Sequence, residues 1–355
     1  MKHYIIPIFI PHYGCTHACV FCNQQKITGQ ATPATAEEVT GIIDEHLGRI
    51  TAKRHIEVAF YGGSFTALDI NVQSELLAPA YNALQCGKIH AIRLSTRPDC
   101  INDTIVQNLL AFGVSTIELG VQSLDNKVLE ASARGHSASD VTMAVAIIKK
   151  MGLQCGLQLM PGLPGEDWIS LITTAQHVVG LAPDFVRIYP TIVIANTKLA
   201  EMYHDGSYTA LSMAAGVSRA AFIKILFARF NILVIRTGLQ ATEDLGKSDV
   251  VLAGPYHPAF GEMVDSYLFY LMLVHCAESL GLEKNSIKSG PILIHHHPRD
   301  TSKLRGMRNS NIKKLHSIYN IKNLTLQADG EKLDELIIEY QNICYSINKK
   351  MLFNI

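Results

Sequence analysis

The chain has 355 residues, a mass of 39.0 kDa and 48% hydrophobic residues, and its 31 Lys and Arg balance its 31 Asp and Glu. A chain of this size and hydrophobicity can bury a large core, in one large domain or two smaller ones. Five of its eight cysteines are scattered without framework spacing, which argues against a secreted, disulfide-rich protein. No stretch approaches the roughly 20 apolar residues of a membrane span, and the first apolar run is too short for a signal peptide. We therefore expect a reduced, cytoplasmic enzyme that has no membrane partner.

Three cysteines follow the first predicted strand within one short loop. Cys15, Cys19 and Cys22 have the spacing C-x-x-x-C-x-x-C. Three thiolates at this spacing suit an iron–sulfur cluster, and three ligands for a four-iron cube leave one iron open to a further ligand. A structural zinc ion is the alternative, because His12 or His17 could supply the fourth ligand that such a site requires.

Strand-like and helix-like patterns alternate over about 190 residues. Strands are predicted at Tyr4–Ile10, Ile56–Tyr61, Ile92–Thr96, Thr116–Val121, Gln154–Met160 and Phe185–Tyr189. Helices are predicted from a capping box at Thr35–Glu38, and at Val72–Leu84, Asp103–Phe112, Ser139–Met151 and Trp168–Leu181. Strands that are each followed by a helix form a parallel sheet, which closes into a full or partial barrel with its active site at the carboxyl ends of the strands. The predicted fold is α/β, a partial (β/α)6 barrel of the TIM-like kind with a C-terminal α/β extension.

Distinctive motifs follow these strands. The second strand leads into Gly62, Gly63 and Ser64, where glycines let a ligand approach the backbone closely; an ordinary strand-to-helix turn is the alternative. Further motifs are Thr-Arg-Pro-Asp at 96–99, Glu-Leu-Gly-Val-Gln-Ser at 118–123, Arg-Gly-His at 134–136, Met-Pro-Gly-Leu-Pro-Gly at 160–165 and Ile-Tyr-Pro-Thr at 188–191. Several of them fall at the strand ends where a barrel places its active site.

Together with the cysteine loop, these motifs resemble the radical S-adenosylmethionine (SAM) superfamily, and within it the subfamily of the catalytic subunit of Elongator. The resemblance covers roughly residues 3–270. It implies that Cys15, Cys19 and Cys22 hold a [4Fe–4S] cluster whose open iron binds the amino and carboxylate groups of SAM. In that family the reduced cluster cleaves SAM to methionine and a 5′-deoxyadenosyl radical, which abstracts hydrogen from the substrate. It also implies an electron donor such as flavodoxin or ferredoxin.

The resemblance further implies contacts to SAM. Phe21 is expected to pack near the adenine, Gln122 to bond the ribose, and Arg134 to pair with the carboxylate, for which a planar guanidinium is well shaped. In the Gly62–Ser64 segment, the two glycines are expected to let the backbone approach the methionine amino group. Ser64 stands where the family has a glutamate, so only the backbone role carries over there.

The expected substrate is RNA, and specifically tRNA, because Elongator-type enzymes join an acetyl-derived radical to a uridine of the tRNA anticodon. Those enzymes carry a C-terminal acetyltransferase domain for which this chain has no room, so the product is left open. One alternative is a small-molecule radical reaction akin to that of oxygen-independent coproporphyrinogen III oxidase, whose Gly-Val-Gln-Ser and Arg motifs overlap those of this chain. Another is an iron–sulfur binding or sensing protein without catalysis.

Two long helices are predicted beyond the barrel, at Thr209–Phe230 and Ala259–Leu280. Between and within them lie Tyr256, His257 and Glu262, close to a Gly-Pro pair. A neutral histidine and a carboxylate could move protons after radical attack, so these three are the candidate catalytic residues at the substrate mouth. A tight turn with a packed tyrosine is the alternative.

Basic charge is concentrated near the C-terminus. From Lys284 to Thr325 there are nine Lys or Arg and one acid, a net charge of +8, whereas residues 1–283 carry −6. The predicted order of strand, short helix, Gly306–Asn309 loop, helix and strand resembles the core of a KH module, whose Gly-x-x-Gly loop clamps a nucleic-acid backbone. A solvated basic face is the alternative. The candidate RNA contacts are Arg305, Arg308, Lys313 and Lys314. The predicted domains are 1–240 for the barrel, 241–283 for a helical extension and 284–355 for the basic α/β lobe, which includes the KH-like core.

Overall fold

A computed structural model describes residues 3–10, 15, 17–23, 35–240, 245, 247, 249–282, 290–321, 323–341 and 343–354. The chain forms two compact units. The first comprises residues 1–212 and 239–256, and the second comprises residues 213–238 and 257–355. The three-part division expected from the sequence stays a prediction.

Six parallel strands form the framework of the first unit. They are β1 (His3–Phe9), β2 (His55–Tyr61), β3 (Ala91–Thr96), β4 (Val114–Gln122), β5 (Gln154–Leu159) and β6 (Phe185–Ile188). Each pairs in parallel with the next strand of the chain. All six lie within two residues of their predicted bounds. The predicted parallel α/β sheet of a partial barrel is therefore confirmed.

Helices connect the strands of this unit. They are α1 (Ala36–Arg49), α2 (Ile70–Gln85), α3 (Asp103–Ala111), α4 (Asn126–Ala131), α5 (Ala138–Lys150), α6 (Trp168–Leu181) and α7 (Lys198–His204). The predicted capping box is present: the Thr35 N–H donates to Glu38 Oε2 at 2.7 Å, and the Glu38 N–H donates to Thr35 Oγ1 at 3.3 Å. The sequence prediction missed α4 and α7, because six or seven residues are too few to show a helical period. It also missed an antiparallel pair, β7 (Val193–Ile194) and β9 (Val251–Ala253).

Charged side chains lie on one face of the six-stranded framework. Successive residues of a strand point to opposite faces, and buried apolar residues such as Phe60 and Leu94 occupy one of them. Glu118 of β4 and Arg187 of β6 meet on the other face, across the intervening β5. Side chains two strands apart converge on the concave side of a curled sheet, so this polar face is the inner one.

The second unit combines helices with a mixed sheet. Its elements are α8 (Met213–Arg229), β8 (Leu233–Thr237), α9 (Phe260–Ser279), β10 (Ile292–His296), α10 (Thr301–Arg305), α11 (Ser310–Tyr319), β11 (Leu324–Gln327), β12 (Glu335–Tyr340) and β13 (Ile343–Asn348). Four strands pair in the order β11-β10-β12-β13, with β10 parallel to β11 and the other pairs antiparallel. The predicted strand, helix, helix, strand order is present, whereas the β12–β13 hairpin was missed. Among the described residues, no helix is both long and apolar enough to cross a membrane.

Candidate functional site

The cysteine loop is anchored to the first unit through Val20. Its N–H donates to the carbonyl of Ser132 at 3.1 Å, and its carbonyl accepts from the N–H of Leu199 at 2.7 Å. Its side chain is buried in a cluster that includes Leu199 and Tyr208, and Phe21 packs against the same cluster. Val20, one of the two residues between the second and third cysteines, is thus held by both backbone and side chain. The loop gains a fixed position at the carboxyl end of β1.

The three cysteines of this loop are half-buried. Cys22 donates its N–H to the carbonyl of Cys19 at 3.1 Å, which closes a tight turn between two of them. All eight cysteines lie in the described part of the chain, and none forms a disulfide. His17 packs over Gly135, where an added Cβ would lie only 2.2 Å from the imidazole ring. His12, the other alternative zinc ligand, lies outside the described residues. Three thiols on one anchored turn form a donor set that fits an iron–sulfur cluster.

Arg134 connects this loop to the end of β4. Its guanidinium is buried and donates from Nη1 to Cys19 Sγ at 3.2 Å and from Nη2 to the carbonyl of Gly120 at 2.6 Å. Its Nε is buried without a hydrogen-bond partner among the described residues. A Cβ at position 120 would lie 2.8 Å from both Arg134 Nη2 and Gln122 Nε2. Gly120 therefore allows both side chains to converge, a role that the sequence prediction missed although the glycine lay within a quoted motif.

Gln122 ends β4 with an unusual backbone. Its φ of 68° is in the left-handed region, at an irregularity in the β4–β5 pairing, and its carbonyl accepts from the N–H of Met160 at 2.9 Å. Such strain in a residue other than glycine persists only where the surroundings enforce it, and it is frequent at ligand sites. Gln158 donates from Nε2 to Gln122 Oε1 at 3.1 Å, which fixes the amide.

The glycine motif after β2 turns towards the end of β3. Gly62 and Gly63 have φ values of 78° and 56°, which glycine adopts with little strain. Ser64 is fully buried, and its hydroxyl lies 3.1 Å from Thr96 Oγ1. Thr66 Oγ1 lies 2.6 Å from the same oxygen. The hydroxyl of Ser64 is thus part of a buried network that joins the ends of β2 and β3.

His136 is a neutral histidine close to Arg134. Its Nε2 lies 3.2 Å from the carbonyl of Val121, which assigns the proton to Nε2. Burial lowers its pKa to about 4, and the charges of Arg134 and Arg97 act in the same direction. Its Nδ1 is buried without a partner among the described residues, so the ring presents an acceptor beside the site.

A buried ionic network lies on the inner face of the sheet. Arg187 contacts Glu118 through Nε and Nη2, and it donates to the hydroxyls of Tyr189 and Tyr61 at 3.2 and 3.3 Å. Arg93 also contacts this carboxylate, since its Nε lies 3.4 Å from Glu118 Oε1. Burial, followed by the charge of Glu118, raises the pKa of Tyr61 to about 12. The sequence prediction missed this network, although the charged residues Arg93, Glu118 and Arg187 within three largely buried strands were a usable signal.

The three candidate catalytic residues are divided between the two units. Tyr256 belongs to the first unit, packs against a cluster that includes Ile192 and Leu245, and has no hydrogen-bond partner for its buried hydroxyl among the described residues. His257 and Glu262 belong to the second unit. His257 Nδ1 accepts from the Ala259 N–H at 3.0 Å, and Glu262 is exposed in the first turn of α9. Their catalytic role stays a prediction.

The basic candidates lie in the second unit around the loop between α10 and α11. Three residues of this loop have positive φ, namely Gly306 at 68°, Arg308 at 54° and Asn309 at 62°. Buried Asn311 donates from Nδ2 to the carbonyls of Leu304 and Ser266, which ties the loop to α9. All four basic candidates are exposed: Arg305, Arg308, Lys313 and Lys314.

Comparison with known proteins matches most of the chain to two family models. The model of the radical SAM superfamily matches residues 9–178, and the model of the Radical_SAM C-terminal domain matches residues 183–269. The anchored cysteine loop and the sites at the strand ends therefore fall within the first match.

Curated relatives include tRNA-modifying proteins. The tRNA uridine(34) acetyltransferase of Methanocaldococcus jannaschii is 28% identical over 307 residues, covering 74% of this chain and 55% of that protein. Elongator complex protein 3 of Saccharomyces cerevisiae is 29% identical over 259 residues, covering 61% and 46%. The chain thus spans about half the length of these relatives.

The fold also matches a solved structure. The Elp3 of Methanocaldococcus infernus with residues 1–46 deleted has a TM-score of 0.58 and 23% identity, covering 79% of this chain and 64% of that one. This likeness supports the barrel fold.

Proposed function

Because the chain belongs to the radical SAM superfamily, we propose that it is a radical SAM enzyme that modifies tRNA. Cys15, Cys19 and Cys22 would hold a [4Fe–4S] cluster. When bound, the cluster and SAM supply a 5′-deoxyadenosyl radical that abstracts hydrogen from the substrate. The observation that carries the proposal is the contact of Arg134 with Cys19, since it joins the cysteine loop to the Arg-Gly-His motif.

The residues around the cysteines would bind and orient SAM. Arg134 donates to a ligand sulfur and places a buried positive charge beside the loop, which stabilises anionic groups there. Gln122, held in its strained backbone, offers an amide to the ribose, while Gly62 and Gly63 let the backbone approach the methionine amino group. Phe21 would pack near the adenine. Neutral His136 adds an acceptor without adding positive charge.

The inner polar face would receive the group to be modified. Glu118 and Arg187 neutralise each other and hold the two tyrosine hydroxyls in place. Tyr61, with a pKa of about 12, stays protonated at neutral pH and can donate a hydrogen bond. Such a face suits a polar, uncharged group such as a nucleobase. Tyr256, His257 and Glu262 remain the candidates for proton transfer.

A tRNA substrate is supported by the relatives and by the charge distribution. Curated relatives carry the name tRNA uridine(34) acetyltransferase. In this chain, residues 284–325 have a net charge of +8, and the exposed basic side chains lie around a loop of unusual backbone. Arg305, Arg308, Lys313 and Lys314 would contact phosphates of the RNA in the manner of a KH-like lobe. Flavodoxin or ferredoxin would supply the electron.

Two measurements test the proposal. The reconstituted protein, reduced with dithionite, should release 5′-deoxyadenosine from SAM. Nucleoside mass spectrometry of tRNA should then show one modified nucleoside missing from cells that lack the gene and restored by the wild-type gene but not by the Cys19→Ala gene. SAM cleavage with an unchanged tRNA profile would overturn the tRNA substrate and favour a small molecule. No cleavage by a protein with an intact cluster would overturn the enzymatic proposal.

A further inference from the structure

Two histidines and a glutamate meet at the amino end of the sheet, the end opposite to the cysteine loop. His3 is paired with His55 in the β1–β2 register, and Glu57 lies two residues further along β2. Because residues two apart share a face, His55 and Glu57 point to the same side. His3 Nδ1 lies 3.5 Å and His55 Nε2 lies 3.2 Å from Glu57 Oε1, and the three potential ligand atoms all lie within 4.8 Å of one another.

These distances fit one bound metal ion. Ligand atoms that are each about 2.0–2.1 Å from a tetrahedral zinc ion lie roughly 3.3 Å apart. Both distances to Glu57 Oε1 are close to that value. Two imidazoles and one carboxylate are a known ligand set for zinc, with water in the fourth position. The exposure of His3, whose side chain is 68% accessible, leaves room for that water.

The second oxygen of the Glu57 carboxylate has a partner that orients the group. Glu57 Oε2 lies 3.4 Å from Arg93 Nη1, and Arg93 is held in turn by Glu118, its Nε lying 3.4 Å from Oε1. One oxygen of Glu57 therefore faces the arginine while the other faces the two imidazoles. A partner that fixes the orientation of a ligand in this way is typical of metal sites.

A third imidazole in the neighbourhood does not belong to the set. The ring of His90 lies 4.9 Å from that of His55, but its Nδ1 accepts the Ile56 N–H at 3.1 Å. His90 is therefore a matched control, because it lies beside the site but its Nδ1 already accepts a hydrogen bond.

We propose that His3, His55 and Glu57 bind one divalent ion of the zinc class. The ion bridges β1 and β2, and so it fastens the strand that leads directly into the cysteine loop. The site is separate from the three cysteines, which lie at the other end of the parallel strands.

Zinc binding to the full chain tests this proposal. Because thiolates also bind zinc, the titration uses the cluster-loaded protein and, separately, a protein with Cys15, Cys19 and Cys22 all changed to Ser. Calorimetry with Zn²⁺ should show one bound equivalent in both. His3→Ala and His55→Ala should each weaken binding at least tenfold, while His90→Ala leaves it unchanged. Co²⁺ bound to the Cys-to-Ser protein should give a visible spectrum without thiolate charge transfer.

Thermal unfolding provides a second readout. Zn²⁺ should raise the Tm of the parent and of His90→Ala, because a ligand that binds only the folded state stabilises it. His3→Ala changes an exposed side chain and should keep its Tm without zinc, but the zinc-dependent rise should vanish. Absence of a bound equivalent in the Cys-to-Ser protein, or equal affinity in the parent, His3→Ala and His55→Ala, would overturn the proposal.

Discussion

Arg134 donates a hydrogen bond to the sulfur of Cys19, a residue 115 positions earlier in the chain. The same guanidinium donates to the carbonyl of Gly120, so one side chain connects the cysteine loop with the end of β4. The spacing of these residues along the chain does not predict either hydrogen bond. The contact gives the Arg-Gly-His motif a physical role beside the thiols.

The cysteines should be individually required for the cluster. Cys15→Ala, Cys19→Ala and Cys22→Ala should each lose the visible iron–sulfur absorbance and 5′-deoxyadenosine formation, because two thiolates do not hold a four-iron cube securely. Absorbance spectra and chromatography of the SAM products measure this. Cys86→Ala and Cys276→Ala, which change cysteines outside the loop, should retain both. Full SAM cleavage by any one loop variant would contradict the assignment.

Arg134→Gln should change the cluster without removing it. Hydrogen bonds and positive charge at the sulfurs raise the reduction potential of a cluster, so their loss should make the potential more negative. A redox titration followed by electron paramagnetic resonance measures this shift. SAM binding should weaken by about 1.5 to 3 kcal/mol if Arg134 also pairs with the carboxylate, and by less in Gln122→Ala. Arg49→Gln, at an exposed position of α1, is the control, and a potential equal to the parent's would argue against the N–H···S contact.

The buried network around Glu118 should dominate the stability of the barrel. Glu118→Gln keeps the shape but leaves Arg93 and Arg187 without their shared carboxylate, and breaking a buried ion pair costs about 3 to 5 kcal/mol. Urea unfolding of the purified protein measures the loss. The matched control is Glu201→Gln, which breaks an exposed pair with Lys198 and should cost less than about 1 kcal/mol. Equal losses in the two variants would show that the network adds little.

His136 should make the protein less stable in acid. Its pKa is lowered from 6.5 to about 4. As the pH falls, His136 is therefore protonated near pH 6.5 in the unfolded chain but only near pH 4 in the folded protein. The free energy of unfolding therefore falls as the pH falls through this window, by at most about 3 kcal/mol, and is unaffected at neutral pH. His136→Gln should flatten this part of the curve, measured by urea unfolding at several pH values. His204→Gln, at an exposed position, should follow the parent, and an unchanged slope in His136→Gln would contradict the prediction.

The basic lobe should show its role in the salt dependence of tRNA binding. Lys313→Glu combined with Lys314→Glu should weaken binding to tRNAs of different sequence and flatten the salt slope by about one to two units, since each phosphate contact on single-stranded RNA contributes about 0.7. Filter binding at several salt concentrations measures both quantities. Lys53→Glu with Lys88→Glu makes the same charge change on exposed residues of the first unit. If the two double variants had equal tRNA affinity and equal salt slope, the basic lobe would be only a solvated basic face.

Local patterns alone located most elements of this fold. The capping residues at Thr35 and Glu38 identified the start of α1, and the apolar runs identified six strands within two residues. The spacing of Cys15, Cys19 and Cys22 likewise identified a donor set, because three ligands on one loop are near each other in almost any fold. The hairpin of β12 and β13 was also within reach of the sequence, since two short runs rich in Ile, Leu and Tyr are separated by two residues.

Only the tertiary structure decided which distant side chains meet. Arg134 reaches Cys19, and Glu118 reaches Arg187 across β5, because parallel pairing brings strand ends together and curvature brings inner side chains closer. The spacing of residues along the chain does not predict the register or the curvature of the sheet. The pairing of His3 with His55 depends on the register of β1 and β2 in the same way. The sequence by itself therefore determined most of the elements and the family motifs, while packing determined the contacts that orient them.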